Sequence, residues 1–247
     1  MKAMIFAAGL GTRLKPLTAT MPKALVPVGG KPLLEHVIVR LKAAGFDEII
    51  INVHHFAGQI VRFVEERGCF DIHVEFSDER EMLLDTGGGL RKAAPFFDDD
   101  RPFAVHNVDI LSNVDLRKLC EEHVRCNSPA ALLVCSERKT SRYLLFDGDR
   151  RLRGWVNEDT GEVKSPFPHF DPRCCRKLAF AGIQLLHPSV FRYMAGFPDR
   201  FSIVDFYLSV CDRVDLLCYR PDDLLLLDVG KTEALRRASR FPDGFAR

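Results

Sequence analysis

Apolar residues run without interruption from position 3 to position 8, the pattern of a strand covered on both faces. Residues 33–44 then place their apolar positions three and four apart, which predicts an amphipathic helix, and Gly45 stops it. Strands are expected at 48–53, 72–76, 103–106 and 130–135, with helices at 59–67, stopped by Gly68, and at 116–125. Strand and helix alternate, so the fold class is α/β: three layers, Rossmann-like, around a mixed, mainly parallel sheet. After residue 136 the pattern changes. Segments 143–146, 152–156 and 178–186 read as strands joined by turns, a small antiparallel subregion of the same sheet. Strands at 215–219 and 224–227 and a helix from about 232 to 240 close the pattern. No repeat and no linker-like composition interrupts it, so residues 1–247 are read as a single domain with parts at about 1–136 and 137–247.

Composition narrows the function classes. Lys+Arg 35 against Asp+Glu 34 leaves a net charge of +1, which argues against a surface devoted to nucleic acid. No apolar run reaches the roughly 20 residues of a membrane helix, and the N-terminal apolar stretch ends at Gly9 after a single Lys2, unlike a signal peptide. A cytoplasmic protein without membrane contact is expected. The eight cysteines contain no C-x-x-C pair and read as reduced, mostly buried thiols, with the adjacent Cys174 and Cys175 beside Arg173, Arg176 and Lys177 as the pair to watch. The histidines have no zinc-ligand spacing, since His54 and His55 are neighbours and the others are scattered.

The chemistry concentrates after the first strand. Gly9 and Gly11 clear side chains from a loop where backbone amides can meet an anion, and Arg13 and Lys23 bring positive charge to it. The loop is not a dinucleotide fingerprint, because Leu14 stands where a third glycine is needed; it is not a P-loop, because Pro32 follows Gly30-Lys31. A glycine turn joining a strand to a helix would account for Gly9 and Gly11 alone, without Arg13, Lys23 or the proline spacing. Further on, three consecutive glycines, Gly87 to Gly89, open a helix at a high cost in backbone entropy and imply close approach of a ligand. Asp109 and Asp228 each follow a strand, where an aspartate can either cap a helix or hold a metal. The loop after Ala8, Asp109 and Asp228 all fall at carboxyl ends of strands, where doubly wound sheets bind ligands.

Residues Ala7 to Leu14, with Pro22-Lys23-Ala24-Leu25 and Gly30-Lys31-Pro32-Leu33, together resemble the signature of the sugar-1-phosphate nucleotidyltransferases, also called nucleotide-sugar pyrophosphorylases. The resemblance implies a magnesium-dependent enzyme. It would join a nucleoside triphosphate (NTP) to a sugar-1-phosphate, giving a nucleotide-sugar for cell-envelope polysaccharide and pyrophosphate. It assigns Ala8, Gly9, Gly11 and Thr12 to the phosphates, and Arg13 and Lys23 to the triphosphate and the departing pyrophosphate. Asp109 is carried over as catalytic, Asp109 and Asp228 as metal ligands, Asn107 as a substrate contact, and Gly87, Gly88 and Gly89 as the surface for base and ribose. Glu158, Gly182 and Asp205 fall on the sugar side, which makes residues 1–136 the nucleotide-binding part and 137–247 the sugar-binding part.

The chain departs from the family pattern in three places. Val108 stands where glycine is more frequent, which questions the local turn; Lys231 follows Gly230; and Asp159 replaces a lysine after Glu158, so Lys164, Lys177 or another cation would meet the sugar phosphate instead. Residues 159–177 form an irregular segment that reads as a lid, a dimer contact or a surface loop, and a homodimer stays open. No hexapeptide repeat is present, so the acyltransferase domain of some members is not expected. The Thr-Gly-Gly-Gly form looks like the subgroup of N-acetylmuramate-1-phosphate uridylyltransferases and of mannose- and heptose-phosphate guanylyltransferases. UTP with an amino-sugar-1-phosphate is the preferred pair. Guanylyl transfer to mannose- or heptose-1-phosphate, a non-catalytic nucleotide-sugar sensor, and a cytidylyltransferase acting on a phosphorylated alcohol such as choline phosphate are the alternatives.

Overall fold

The computed structural model describes residues 1–127, 129–230 and 232–238. The first half runs β1 (Lys2–Phe6), a hairpin of β2 (Pro27–Val28) and β3 (Lys31–Pro32), α1 (Leu33–Ala43), β4 (Glu48–Val53), α2 (Ala57–Glu66), β5 (His73–Asp78), α3 (Asp85–Lys92), β6 (Phe103–Asn107), β7 (Ile110–Ser112), α4 (Leu116–Arg125) and β8 (Ala131–Ser136). The second half runs β9 (Arg142–Phe146), β10 (Leu152–Asn157), β11 (Glu162–Lys164), β12 (Arg176–Leu186), α5 (Ile203–Val210), β13 (Leu216–Tyr219), β14 (Leu226–Asp228) and α6 (Thr232–Ala238).

Ten strands make one mixed sheet in the order β11-β10-β9-β12-β6-β1-β4-β5, with β8 also on β12 and β13 on β8. β6, β1, β4 and β5 are parallel, while β9 to β12 join antiparallel. Side chains alternate across it and so build three layers. Ala3 and Ile5 of β1 and Ile49 and Ile51 of β4 pack with α1, α2 and α4; Met4, Phe6 and Ile50 pack on the other face with α3 and α5. The buried Tyr207 hydroxyl donates to Gln184 Oε1 at 2.8 Å, fastening α5 to β12.

Several sequence expectations need correction. Residues 201–210 were not expected to be helical, yet Ser202 caps α5 by accepting from the Val204 amide at 3.1 Å. Segment 159–177 is only partly irregular, because β11 pairs with β10 and a 3-10 turn covers Pro172–Cys174. The strand ending at Asp228 is not part of the main sheet. It pairs antiparallel with β7, a two-stranded ladder not foreseen from the pattern because β7 is only three residues long. Of the eight free thiols, Cys135, Cys211 and Cys218 are buried and Cys174 is exposed; the rest are half-buried, so full burial is the minority state. Lys231 and residues 239–240 of the expected last helix lie outside the described residues. Among the described residues no helix is long and apolar enough to cross a membrane.

His106 sits inside β6 with its Nδ1 2.8 Å from the Asn107 carbonyl oxygen, and burial pulls its pKa from 6.5 down to about 4. A base whose folded pKa is depressed stabilises the fold above pH 6.5, and this contribution is lost as the pH falls toward 4. The expected loss is ~3 kcal/mol. Denaturant unfolding of wild type and His106→Gln between pH 7 and pH 4 checks it: the variant's stability should fall less steeply, and parallel curves would refute the assignment.

Candidate active site

A cleft of about 300 Å³ opens beyond the carboxyl ends of β1, β4 and β6, the place doubly wound sheets use for ligands. Its floor is tied together by two side chains absent from the sequence candidates. Asn52, next to last in β4 and only 3% exposed, accepts through Oδ1 from the amides of Ala7 (2.7 Å) and Ala8 (3.2 Å). Its Nδ2 donates to Glu79 Oε1 at 2.7 Å, and Glu79 Oε2 accepts from the Leu84 amide at 3.1 Å. Burial pushes the Glu79 carboxyl upward, against the pull of the Leu84 amide and Asn52. Asn52 is legible only as a polar residue in an apolar strand, and such residues are retained when they satisfy other buried groups.

Gly9 has open space where a side chain would begin, on the cleft wall between Ala8 and the turn. Gly11 is different. Its φ is +63°, and a Cβ there would lie 2.9 Å from the Thr18 methyl and 3.0 Å from Lys23 Cβ, so the glycine lets the loop close onto Lys23. Thr12 and Arg13 belong to the 3-10 turn Thr12–Leu14 outside the cleft lining. Lys23 lines the cleft at 9% exposure, and its ammonium forms an ion pair with Asp109 Oδ2.

Asp109 and Asp228 come together through the small ladder. Asp228 pairs with Ile110, and the Val229 amide donates to the Asp109 carbonyl at 2.8 Å. Asp228 Oδ1 is buried without a hydrogen-bond partner. A Cβ at Gly230 would lie 2.7 Å from that oxygen and 2.8 Å from Arg13 Nη2, so Arg13 and Asp228 flank the same glycine. Val108 occupies its turn without a positive φ and donates its amide to the Phe6 carbonyl at 3.2 Å, which answers the question raised by the missing glycine. The unpartnered Asp228 carboxylate oxygen, on the strand paired next to Asp109 although outside the cleft lining, is the kind of group a hard cation completes with phosphate oxygens and water. No group of three or more His, Cys, Asp or Glu that could hold a metal occurs among the described residues, so the protein's share would be these two aspartates.

Asn107 lines the cleft, and Gly182 places it: at φ +71°, in an irregular register of β12, Gly182 is so close that a Cβ would lie 2.6 Å from Asn107 Nδ2. The triple glycine is packed closely against the protein itself. Added Cβ atoms at Gly87, Gly88 and Gly89 would strike the Phe201 ring at 2.4 Å, the Asp199 carbonyl at 2.2 Å and Glu79 Oε1 at 2.5 Å. The close approach is therefore by the protein's own 199–201 segment and Glu79. The Phe201 carbonyl accepts from the amides of Gly87 (2.9 Å) and Gly88 (3.2 Å). Asp85 and Thr86, just before the glycines, line the cleft instead, as does Arg200, an exposed residue with no motif around it.

Glu158 and Asp205 do not line the cleft. Glu158 pairs with Lys177 at 2.9 Å, and Asp205 lies 3.7 Å from Lys164, whose ammonium stands 5.2 Å from the centre of the Trp155 ring. All four charged residues are exposed; Glu158 and Lys177 lie at the antiparallel part of the sheet, whereas Asp205 belongs to α5 and faces Lys164 of β11.

The family model described as nucleotidyl transferase matches residues 2–242. An N-acetylmuramate alpha-1-phosphate uridylyltransferase of Neisseria meningitidis serogroup B is 43% identical over 115 residues, covering 47% of this chain and 49% of the relative. A mannose-1-phosphate guanyltransferase of Yarrowia lipolytica is 35% identical over 195 residues, covering 77% of this chain and 50% of the relative. The chain thus spans about half the length of these relatives. Among solved structures, a putative glucose-1-phosphate thymidylyltransferase of Bacillus anthracis superposes with a TM-score of 0.81 at 22% identity, covering 99% of this chain and 98% of that one. HddC of Yersinia pseudotuberculosis, solved with GMP-PN, gives a TM-score of 0.75 at 23% identity over 97% and 98% of the two chains.

Proposed function

The chain belongs to the nucleotidyl transferase family, and from that premise we propose that it transfers a nucleotidyl group from an NTP to a sugar-1-phosphate, releasing pyrophosphate. The observation that carries this reading is the Lys23–Asp109 pair on the cleft wall, with Asp228, whose Oδ1 is buried and unpartnered, on the strand paired to the residue after Asp109. The reaction needs no protein nucleophile, because an oxygen of the sugar phosphate attacks the α-phosphorus in line while the bond to pyrophosphate breaks. What it needs is charge compensation between two polyanions. Magnesium held by Asp109 and Asp228 would neutralise phosphate oxygens as negative charge shifts toward the leaving group.

The chain's own groups do the positioning. Lys23, poised on Asp109, turns toward the triphosphate when that carboxylate is engaged elsewhere, and Arg13 adds a second cation from the turn beside Gly230. Ala8 and Gly9 line the cleft where the phosphates would approach, Gly11 lets the loop close onto Lys23, Thr12 stands at the turn, and Asn107 lines the same cleft. The base would lie toward Glu79, Asp85, Thr86 and Arg200, with Gly87 to Gly89 acting through the packing that holds this wall. Glu158, Gly182 and Asp205 remain the proposed sugar-side residues, Gly182 through Asn107.

UTP with an amino-sugar-1-phosphate is the preferred pair, supported by muramate uridylyltransferase relatives at 43% and 42% identity. Guanylyl transfer to mannose-1-phosphate is the second reading, supported by the relative that covers 77% of the chain. Pyrophosphate release with UTP, GTP, CTP and dTTP against a panel of sugar-1-phosphates separates them. Turnover should be confined to one pair and stop on chelation with EDTA. Release undiminished by EDTA would refute the metal role, and silence across the panel would leave a nucleotide-sugar sensor.

A further inference from the structure

A second cavity, about 560 Å³ and sharing no lining residue with the cleft, lies where the end of α4, the turn after β9, the start of β12 and the end of β13 meet. Four arginines reach it: Arg125 from α4, Arg150 from the turn, Arg176 from β12 and Arg220 just past β13. Arginine side chains from four separate places in the chain face one hollow, Arg220 half-buried and the other three exposed, and their planar groups are suited to pairing with an anion.

The carboxylates present do not balance them. Glu122, buried at the edge, is shared: Arg125 Nε donates to it at 2.7 Å and Arg150 Nη1 at 2.9 Å. Glu137 is likewise shared, paired with Arg176 and standing 4.0 Å from Arg220. Asp147, the remaining acid on the wall, is taken by Arg153 Nε at 2.6 Å and by the amides of Asp149 and Arg151 at 2.9 and 3.0 Å. Three carboxylates thus meet four guanidiniums, and one of the three, Asp222 at 3.1 Å from Arg220, is 91% exposed. Arg150, Arg176 and Arg220 line the hollow together with Cys218. Phe146 and Leu178, both almost fully buried, and the half-buried Tyr219 supply the apolar part of its wall.

We propose that this cavity is a second binding site, separate from the cleft, for a phosphate group, free or esterified, held among Arg150, Arg176 and Arg220, with any organic part of the ligand against Phe146, Leu178 and Tyr219. Planar guanidinium groups match phosphate oxygens in pairs, and a phosphate neutralises the excess that the three carboxylates leave. The ligand is a nucleoside monophosphate, a sugar phosphate or free phosphate, and its phosphate is what the site recognises. The proposal does not depend on the reaction assigned to the cleft.

Crystals of the full chain soaked in tungstate, an anomalously scattering phosphate mimic, locate the anion. A peak among Arg150, Arg176 and Arg220 is expected, distinct from any at Lys23. Single Arg176→Glu and Arg220→Glu variants, changed at exposed or half-exposed side chains, should lose that peak and bind tungstate there about tenfold or more weakly. Circular dichroism melts and cleft turnover should stay at wild-type values, and the milder Arg220→Gln serves if a charge reversal unfolds the protein. UMP, glucose-1-phosphate and inorganic phosphate are then compared as displacers: stronger displacement by UMP identifies a nucleotide, by glucose-1-phosphate a sugar phosphate, and equal displacement the free anion. No peak in the cavity at saturating tungstate, or one unchanged in the variants, overturns the proposal.

Discussion

Asp109→Asn is expected to release pyrophosphate at least about a hundredfold more slowly than wild type, with the loss in kcat rather than in the KM for NTP. The substitution keeps the size and hydrogen-bonding shape of the side chain but removes its charge. In the folded protein that charge has two partners to serve, the Lys23 ammonium and the proposed metal, and Asp228 alone is too few ligands for a tight magnesium site. Lys23 is only 9% exposed, so an uncompensated ammonium is left behind, and a stability loss of about 2 kcal/mol should accompany the kinetic effect. The two are separable: a variant still folded at assay temperature, by circular dichroism, whose kcat is near wild type would remove Asp109 from the chemistry.

Gly88→Ala should be the most destabilising single added methyl among residues 1–136. The new Cβ would stand 2.2 Å from the Asp199 carbonyl oxygen, a backbone atom that cannot rotate away, and α3 would have to shift off the 199–201 segment. Overpacking of this kind costs ~3 kcal/mol, or roughly 10 °C in Tm for a chain of this size. Gly9→Ala is the matched control, because nothing lies within 4 Å of the added atom. Its Tm should stay within about 2 °C of wild type while its KM for NTP rises, since the methyl enters the cleft wall. Differential scanning calorimetry on both variants decides: equal Tm values would mean that the α3 glycines are not packed as described.

The parallel core was legible because its signals are local and redundant. The helix expected at 116–125 is α4 residue for residue, capped by Asp115, whose Oδ1 accepts from the amides of Arg117 and Lys118 at 3.0 and 3.1 Å. α5 was missed because most of its residues are apolar and buried, so no polar face marks the helical period, although Ser202 with Asp205 three positions on is a capping signal. The loop residues Gly9, Lys23 and Asp109 could be read from motif spacing. Asn52 and Glu79 could not, because their importance lies in hydrogen bonds between segments 27 residues apart in sequence and to the turn after β1. Gly87 to Gly89 show the limit of motif reasoning most clearly: the spacing announced a close approach, but only the fold reveals that the approaching atoms belong to Phe201, Asp199 and Glu79.

The central claim is that the bond broken lies between the α- and β-phosphorus of the NTP and that the sugar phosphate is the acceptor. The direct measurement follows two separately labelled samples of the preferred NTP, one radiolabelled at the α-phosphorus and one at the γ-phosphorus, with the matching sugar-1-phosphate and magnesium. The account predicts α-label in the nucleotide-sugar and γ-label in pyrophosphate, in equal amounts. Label from the γ-position on the sugar, or α-label recovered only as free nucleoside monophosphate, would contradict it.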